Sequence, residues 1–303
     1  MIGIKDCLEF RICMTFLLSL SACWPVSAVK PNALSPQSVG LTLHAQSQSL
    51  CWSIAGNANG KNPNVLSELT WKRLDGVEAD LNIQWMVGHR WLVVLPASLG
   101  LVLSGRVTDC DYEGEDRASR VACSEVSGSG GYTIQTYPHF GYLFRAGEHI
   151  QLMPEVGYQF CKQLFPLKDG ATRLNSSYRP RWYGPGFSLE ARTSKTGKIG
   201  SSLSVNYFQM DYRADANWNL IETVEHPVSF SHKAKGYGIE PVVQVHYDLS
   251  SSLQFLLKCS YSHWSTGKGE DTLYRIDETL SLTQLNDVTW NVFSAGCGFS
   301  FFF

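Results

Sequence analysis

The sequence predicts an all-β fold, a ten-stranded antiparallel transmembrane β-barrel. Three observations predict it. Apolar and polar residues alternate at a period of two along most of the chain. The polar face carries Glu, Gln, Lys and His. Short connections alternate with long ones. One face suited to lipid and one suited to a wet lumen is the pattern of an outer-membrane barrel. A dry sandwich core would have to bury those polar side chains unpaired, which is strongly unfavourable.

Composition narrows the class first. The chain has 303 residues, 44% hydrophobic and 17% charged, which excludes a disordered polymer. A formal net charge of -2 offers no basic surface to nucleic acid, so no nucleic-acid partner is expected. Only the N-terminus holds an apolar run suited to a helical span, which excludes a polytopic helical membrane protein. There Lys5 and Arg11 precede the apolar run 12–20, and small residues follow to Ala28. This reads as a secretory signal peptide over residues 1–28. Leu20-Ser21-Ala22-Cys23 also has the form of a lipoprotein processing box, so cleavage before Cys23 stays open. Residues 29–46 are then expected as an N-terminal periplasmic segment and residues 47–303 as the barrel.

The strands follow in order. The segment 64–86 is read as one long strand of constant parity, with Arg73 and Asp75 on its outward face. Such charges are tolerated only above the hydrocarbon, so the wall is expected to extend above the outer leaflet. Trp91, Val93, Leu95, Ala97, Leu99, Leu101 and Leu103 form an unbroken apolar face. Ile134, Phe140 and Phe144 oppose Gln135, His139 and Arg145; Val156, Tyr158 and Phe160 oppose Glu155 and Gln159. Val243, Val245 and Tyr247 oppose Gln244, His246 and Asp248; Leu253, Phe255 and Leu257 oppose Gln254 and Lys258. At the C-terminus, Phe293, Ala295, Cys297, Phe299, Phe301 and Phe303 form one face and Ser294, Gly296, Gly298 and Ser300 the other. Phe301 and the terminal Phe303 are expected to act as the assembly signal read by the barrel assembly machinery.

Short turns are expected at 87–90, 146–148, 194–197 and 250–252, and long loops at 56–63, 108–128, 164–177, 213–231 and 269–282. Short periplasmic turns and long outer loops are usual in bacterial barrels. Gly184-Pro185-Gly186 reads as a strand kink rather than a phosphate loop. Past the signal peptide six cysteines remain, with no CxxC pair and no zinc spacing, so no metal site or cofactor is expected. Cys110 and Cys123 share one loop and are the best disulfide pair, whereas Cys297 belongs to the lipid face.

The loops carry a resemblance. Ten strands, a tall wall and five long loops resemble the omptins, the outer-membrane endoproteases. Ser67-Glu68-Leu69-Thr70-Trp71 looks like an omptin strand, and Thr108-Asp109-Cys110-Asp111-Tyr112 looks like the second omptin loop, with its D-x-D before an aromatic. Ala216-Asn217-Trp218-Asn219-Leu220 and His226-Pro227-Val228-Ser229-Phe230 resemble more closely the Protochlamydia outer membrane protein family, omptin-like barrels described as porins. The resemblance implies a site at the barrel mouth. An Asp pair, here Asp109 and Asp111, would face an Asp/His pair that holds the general base. At those two positions this chain has Asn217 and Asn219, which cannot take a proton from water. Asp215 is a neighbouring acidic candidate, and His226 and His232 are candidate replacement bases. The expectation is a non-proteolytic barrel acting as porin or surface structural protein. The alternative is an omptin-type endoprotease with an altered base. Expected partners are outer-membrane lipid, including lipopolysaccharide, in the outer membrane of a Gram-negative-type bacterium with the long loops extracellular.

Overall fold

The computed structural model describes residues 37–147, 149–193 and 197–303. The expected signal peptide and both cleavage points lie outside the described residues. Fourteen strand segments form a single antiparallel sheet that closes on itself where β1 (Gln37–Ile54) pairs with β14 (Leu280–Phe302). Between them run β2 (Ser67–Val87), β3 (Trp91–Tyr112), β4 (Arg120–Ser127), β5 (Tyr132–Thr136), β6 (His139–Tyr142) and β7 (Phe144–Arg145). The circuit continues through β8 (Ile150–Asp169), β9 (Leu174–Thr193), β10 (Ile199–Asn217), β11 (Phe230–Asp248), β12 (Leu253–Thr266) and β13 (Gly269–Tyr274). β4 to β7 lie between β3 and β8 as one interrupted strand, and β13 continues β12 between β11 and β14, so the ring has ten wall positions.

Two expectations about extent need correcting. The wall begins at Gln37, so residues 37–46 are a barrel strand and not a periplasmic segment. Leu41 and Leu43 already face outward, with Thr42, His44 and Gln46 inward, but the run is short and ends in polar sequence. Three of the long loops are also shorter than expected. β8 and β9 leave only residues 170–173 between them, β10 and β11 leave 218–229, and β13 and β14 leave 275–279. The expected loop 108–128 contains the end of β3 and all of β4. The cause is common to all four. Above the apolar belt the outer face becomes polar, so the strand continues while the alternation that marks it disappears.

That belt lies at the turn end. Leu41, Leu43, Val93, Leu95, Leu99, Leu101, Phe187, Leu189, Leu203, Val205, Phe299 and Phe301 all point outward and are exposed. A spanning strand needs about 9–11 residues, whereas β2, β3 and β14 have 21, 22 and 23. About half the wall height is therefore surplus to the belt.

The upper and lower halves meet at a double irregularity. In β2 the register slips between Lys72 and Gly76, with Arg73 at φ 51. Leu69 and Trp71 point inward below residue 72 in sequence; Leu74 and Glu78 do so beyond it. The segment 64–86 thus does not keep one parity, although Arg73 and Asp75 are exposed as expected. β3 makes the matching change at Gly105, whose φ of +155 suits glycine and where a Cβ would meet Leu74 Cδ2 at 2.4 Å. Even-numbered Val102 and odd-numbered Val107, on either side of Gly105, both belong to the buried core.

Cys110 and Cys123 stand directly opposite in the β3–β4 register and form a disulfide. Cys51, Cys161 and Cys297 stand outside the disulfide, with Cys161 buried and Cys297 exposed on the belt. In the chain-entropy model a loop of this size contributes about 3 kcal/mol. Thiol mapping of the oxidised protein should return Cys110 and Cys123 as a pair. A lipid-soluble maleimide should label Cys297 in the folded barrel and Cys161 only after unfolding.

Candidate functional site

The parity change at Gly105 aims the D-x-D pair. Asp109 lies opposite Leu69 and Asp111 opposite Ser67, and Leu69 is fully buried among the lumen residues. Cross-strand partners share a face, so both carboxylates point inward, while Cys110 between them points outward and is tied to β4. Asp109 is half-buried above the belt. Its carboxyl is pushed up to about 7, first by burial and then by the negative charge of Asp111.

The residues expected to face this pair are occupied elsewhere. Asn219 Oδ1 accepts from the Asn175 backbone N–H at 2.8 Å and from Ser176 Oγ at 3.0 Å. Its Nδ2 donates to the Arg173 carbonyl at 3.2 Å. Asn219 therefore pins the β10–β11 loop to the β8–β9 turn. Asn217 Oδ1 accepts from His226 Nδ1 at 2.8 Å, inside its own loop. Asp215 forms an ion pair with Arg181 on the neighbouring strand. Among the described residues no hydrogen bond or ion pair joins Asp109 or Asp111 to Asn217, Asn219 or His226, and no group of three His, Cys, Asp or Glu could hold a metal ion.

His232 does not reach the mouth. It is fully buried in a layer of side chains that crosses the lumen. Trp71, Trp182, Trp264, Tyr178, Tyr212, Phe165 and Phe208 are all less than 2% exposed. Trp52 on β1 and Tyr178 on β9 stand at opposite points of the ring, yet their ring centroids are 5.8 Å apart. Trp71 meets Tyr178 at 5.6 Å, and Trp182 meets Trp264 at 5.7 Å. The opposed walls are thus in van der Waals contact.

Polar atoms inside this layer are linked in series. The Tyr212 and Tyr178 hydroxyls are 2.5 Å apart, and Tyr178 OH is 2.8 Å from His232 Nδ1. His232 Nε2 lies 3.2 Å from Asp271 Oδ1, out of line for a hydrogen bond, and Thr283 Oγ1 donates to Asp271 Oδ2 at 2.8 Å. The charge of Asp271 draws the ring proton to Nε2. Nδ1 then accepts from Tyr178, and Tyr178 accepts from Tyr212. Burial raises the hydroxyl pKa of Tyr178 and of Tyr212 well above that of a free phenol, so both remain donors.

The sequence reading missed this layer. The signal was present, because Trp264 continues the parity of Lys258 and Ser262, and Trp290 that of Ser294 and Gly296. The face taken as a uniformly polar lumen turns aromatic with height.

Residues 45–303 match the Protochlamydia outer membrane protein family. No curated protein sequence is similar to the chain. Among solved structures the chain is similar to the outer membrane protease OmpT from Escherichia coli, with TM-score 0.70 and 12% identity over 91% of this chain and 99% of that one. It is also similar to the outer membrane protein OprG from Pseudomonas aeruginosa, with TM-score 0.43 and 11% identity over 90% and 99%. At such identities the OmpT likeness shows the fold alone.

Asp109 gives a pH dependence whose sign is set. A carboxyl raised in the folded state favours folding fully below its unfolded value near 4, and that contribution is lost as pH rises through about 7. The apparent melting temperature in detergent should therefore fall between pH 4 and pH 7, and Asp109→Asn should flatten that slope. Asp111→Asn should lower the Asp109 midpoint, read by carboxyl carbon NMR.

Proposed function

We propose, since this chain belongs to the Protochlamydia outer membrane protein family, that it is a non-proteolytic surface barrel of the outer membrane with a closed lumen. It is an outer-membrane β-barrel protein related in fold to OmpT. The apolar belt crosses the bilayer with the short turns periplasmic, and the taller half stands outside with the loops extracellular. One observation carries the choice between an open porin and a closed structural barrel: the 5.8 Å contact between Trp52 and Tyr178 across the ring. A layer in which opposed walls touch and the largest side chains are buried supports a closed lumen. Small barrels are commonly filled by their own side chains, and this one is filled by its largest. Against proteolysis stands Asn219, which spends its amide on the β8–β9 turn.

The outer wall supports anionic lipid, including lipopolysaccharide, as the partner. Lys162, Arg181, Arg213 and Lys233 are exposed and directly opposed across β8, β9, β10 and β11, with Asp215 paired to Arg181 and Glu270 opposite Lys233. Like charges side by side destabilise a sheet. A row of them just above the belt suits phosphate-bearing head groups.

A second reading keeps the endoprotease. His226 is exposed, and its Nδ1 donates to Asn217, which leaves the Nε2 lone pair free at the loop end. With Asp109 titrating near neutrality, a base and a water-holding carboxylate are both present, but no bond joins them.

The closed reading predicts no resolvable conductance for the wild-type protein in a planar bilayer. Trp71→Ala with Tyr178→Ala should produce discrete openings. Each truncation costs about 3–5 kcal/mol, so heat-modifiable mobility must accompany the recording. Steady wild-type conductance would contradict closure. Peptide cleavage that is abolished by His226→Ala would favour the second reading. Replacing the four basic residues by Gln should at least halve the phosphate that copurifies with the barrel.

A further inference from the structure

Above the belt, the β3–β4 hairpin leaves one edge of the sheet without a partner. β4 pairs with β3 along its length, from Arg106 opposite Ser127 to Tyr112 opposite Arg120. On its other side it meets β8 at a single pair, Ser127 and Lys168, and β8 ends at the next residue, Asp169. Residues 120–125 stand clear, each of them exposed.

Two observations fix which backbone groups line that edge. Tyr112 N–H donates to the Leu66 carbonyl, at the start of β2, at 2.8 Å. Bond direction alternates along an antiparallel strand, so Cys110 also turns its groups toward β2, and Asp109 and Asp111 turn theirs toward β4. The Cα atoms of Cys110 and Cys123 are 4.1 Å apart. Pairs that exchange no backbone bonds lie at about 4.5 Å and bonded pairs at about 5.5 Å, so this pair is unbonded. Cys123 and, two residues on, Glu125 therefore point N–H and C=O away from β3, to the side on which Ser127 meets Lys168. Among the described residues no backbone group meets them there. A bulge at Val121 ends the regular part of the edge at the top.

The edge is also held still. Glu115, in the hairpin turn, accepts from the Asn62 and Asn64 backbone N–H groups at 3.1 and 2.8 Å, and Asp116 accepts from Asn64 Nδ2 at 2.8 Å. Arg117 donates to Glu68 at 3.0 Å, and the disulfide ties β4 to β3. A preorganised edge spends little ordering entropy when a ligand joins it. Its surroundings are positive. Lys168 and Arg173 stand exposed at its lower end and Arg120 at its upper end, and among the described residues none of the three has an ion-pair partner. The carboxylates nearby are committed, Glu125 to Arg106 at 2.9 Å and Asp169 to Thr172 and the Ala171 N–H at 2.8 and 3.1 Å.

We propose that the free edge of β4 docks an extended, acid-ended segment of a partner protein, which joins the wall as a further strand. Cys123 and Glu125 supply the main-chain bonds, as in strand addition generally, and Lys168, Arg173 and Arg120 select carboxylates at the two ends of the segment. A second copy in the same membrane does not fit. Wall strands tilt about 35–45° from a barrel axis, so a two-fold along the membrane normal would cross two β4 edges at about 70–90°. The proposal goes beyond the closed-barrel reading and takes from it only the extracellular position of the loop end. Conductance and docking can therefore fail independently.

The test uses the full folded barrel in a neutral detergent and the end-blocked peptide Asp-Asp-Thr-Val-Thr-Val-Thr-Asp-Asp. Calorimetric titration should give saturable binding that the same peptide with Lys at its ends does not reproduce. An added strand shows alternate amides to β4. Methylating the amide nitrogens of the Val residues in one peptide, and of the Thr residues in another, should abolish binding in one case and spare it in the other. Glu125→Pro removes a free-edge N–H while the β3–β4 bonds stay in place, so it should abolish binding with heat-modifiable mobility retained. Lys168→Gln with Arg173→Gln should weaken binding at least fivefold, whereas Lys198→Gln, at the turn end, should leave it unchanged. Hydrogen exchange on the wild-type protein needs no substitution: the amides of Cys123 and Glu125 should exchange fast in the free barrel and at least tenfold more slowly with peptide bound. Absence of saturable binding, equal binding of the Lys-ended peptide, binding that survives both methylation patterns, or unaltered exchange at Cys123 and Glu125 would overturn the proposal.

Discussion

A ring of ten strands is narrow enough for a tryptophan on one wall to meet a tyrosine on the opposite wall, and the molecule is organised around that contact. Trp52 and Tyr178 meet across the lumen, and Trp71, Trp182, Trp264 and Phe208 fill the space around them. The layer divides the interior in two. On one side lies an acidic cavity that reaches the turns, and on the other the loop end with its inward Asp pair. Neither compartment depends on the other for its chemistry, and the wall between them is hydrocarbon and indole.

Such a layer also has to accommodate polar atoms, since tyrosine and histidine carry them into it. The chain Tyr212–Tyr178–His232 gives each hydroxyl and Nδ1 a partner and ends at Asp271, itself anchored by Thr283. The two hydroxyls and Nδ1 are satisfied, whereas His232 Nε2 and Asp271 Oδ1 meet by charge without a hydrogen bond. Here the series ties β10, β9, β11, β13 and β14 to one another. The closed state is thus held by directional bonds as well as by packing, which distinguishes it from a merely collapsed lumen.

Much of this was legible in the sequence, for a physical reason that also marks where legibility ended. The belt strands alternate because lipid and lumen differ in polarity, and Trp91 to Leu103 could be read directly. Cys110 and Cys123 were readable as a pair because one loop holds both. Above the belt both faces of a strand meet polar surroundings or each other. There Leu174 and Gly269 begin strands that no alternation announces. The parity change at Gly105 was hidden as well, because it depends on a matched slip in β2. Asn217 and Asn219 could be recognised as lacking a base, but their partners, His226 and the β8–β9 turn, are set by tertiary contact alone. Residues 37–46 were missed at the other end, where the apolar alternation of β1 is brief and gives way to polar sequence.

The central claim is that the lumen is dry at the aromatic layer. It is tested most directly by iodide quenching of single-tryptophan variants that retain Trp71, Trp182 or Trp264, reconstituted in lipid vesicles with the quencher on either side. The account predicts blue-shifted emission from each, unquenched from both sides, while a variant retaining Trp218 at the loop end is quenched from one. Quenching of Trp71 or Trp182 from both sides would mean that water passes the layer, and would contradict the account.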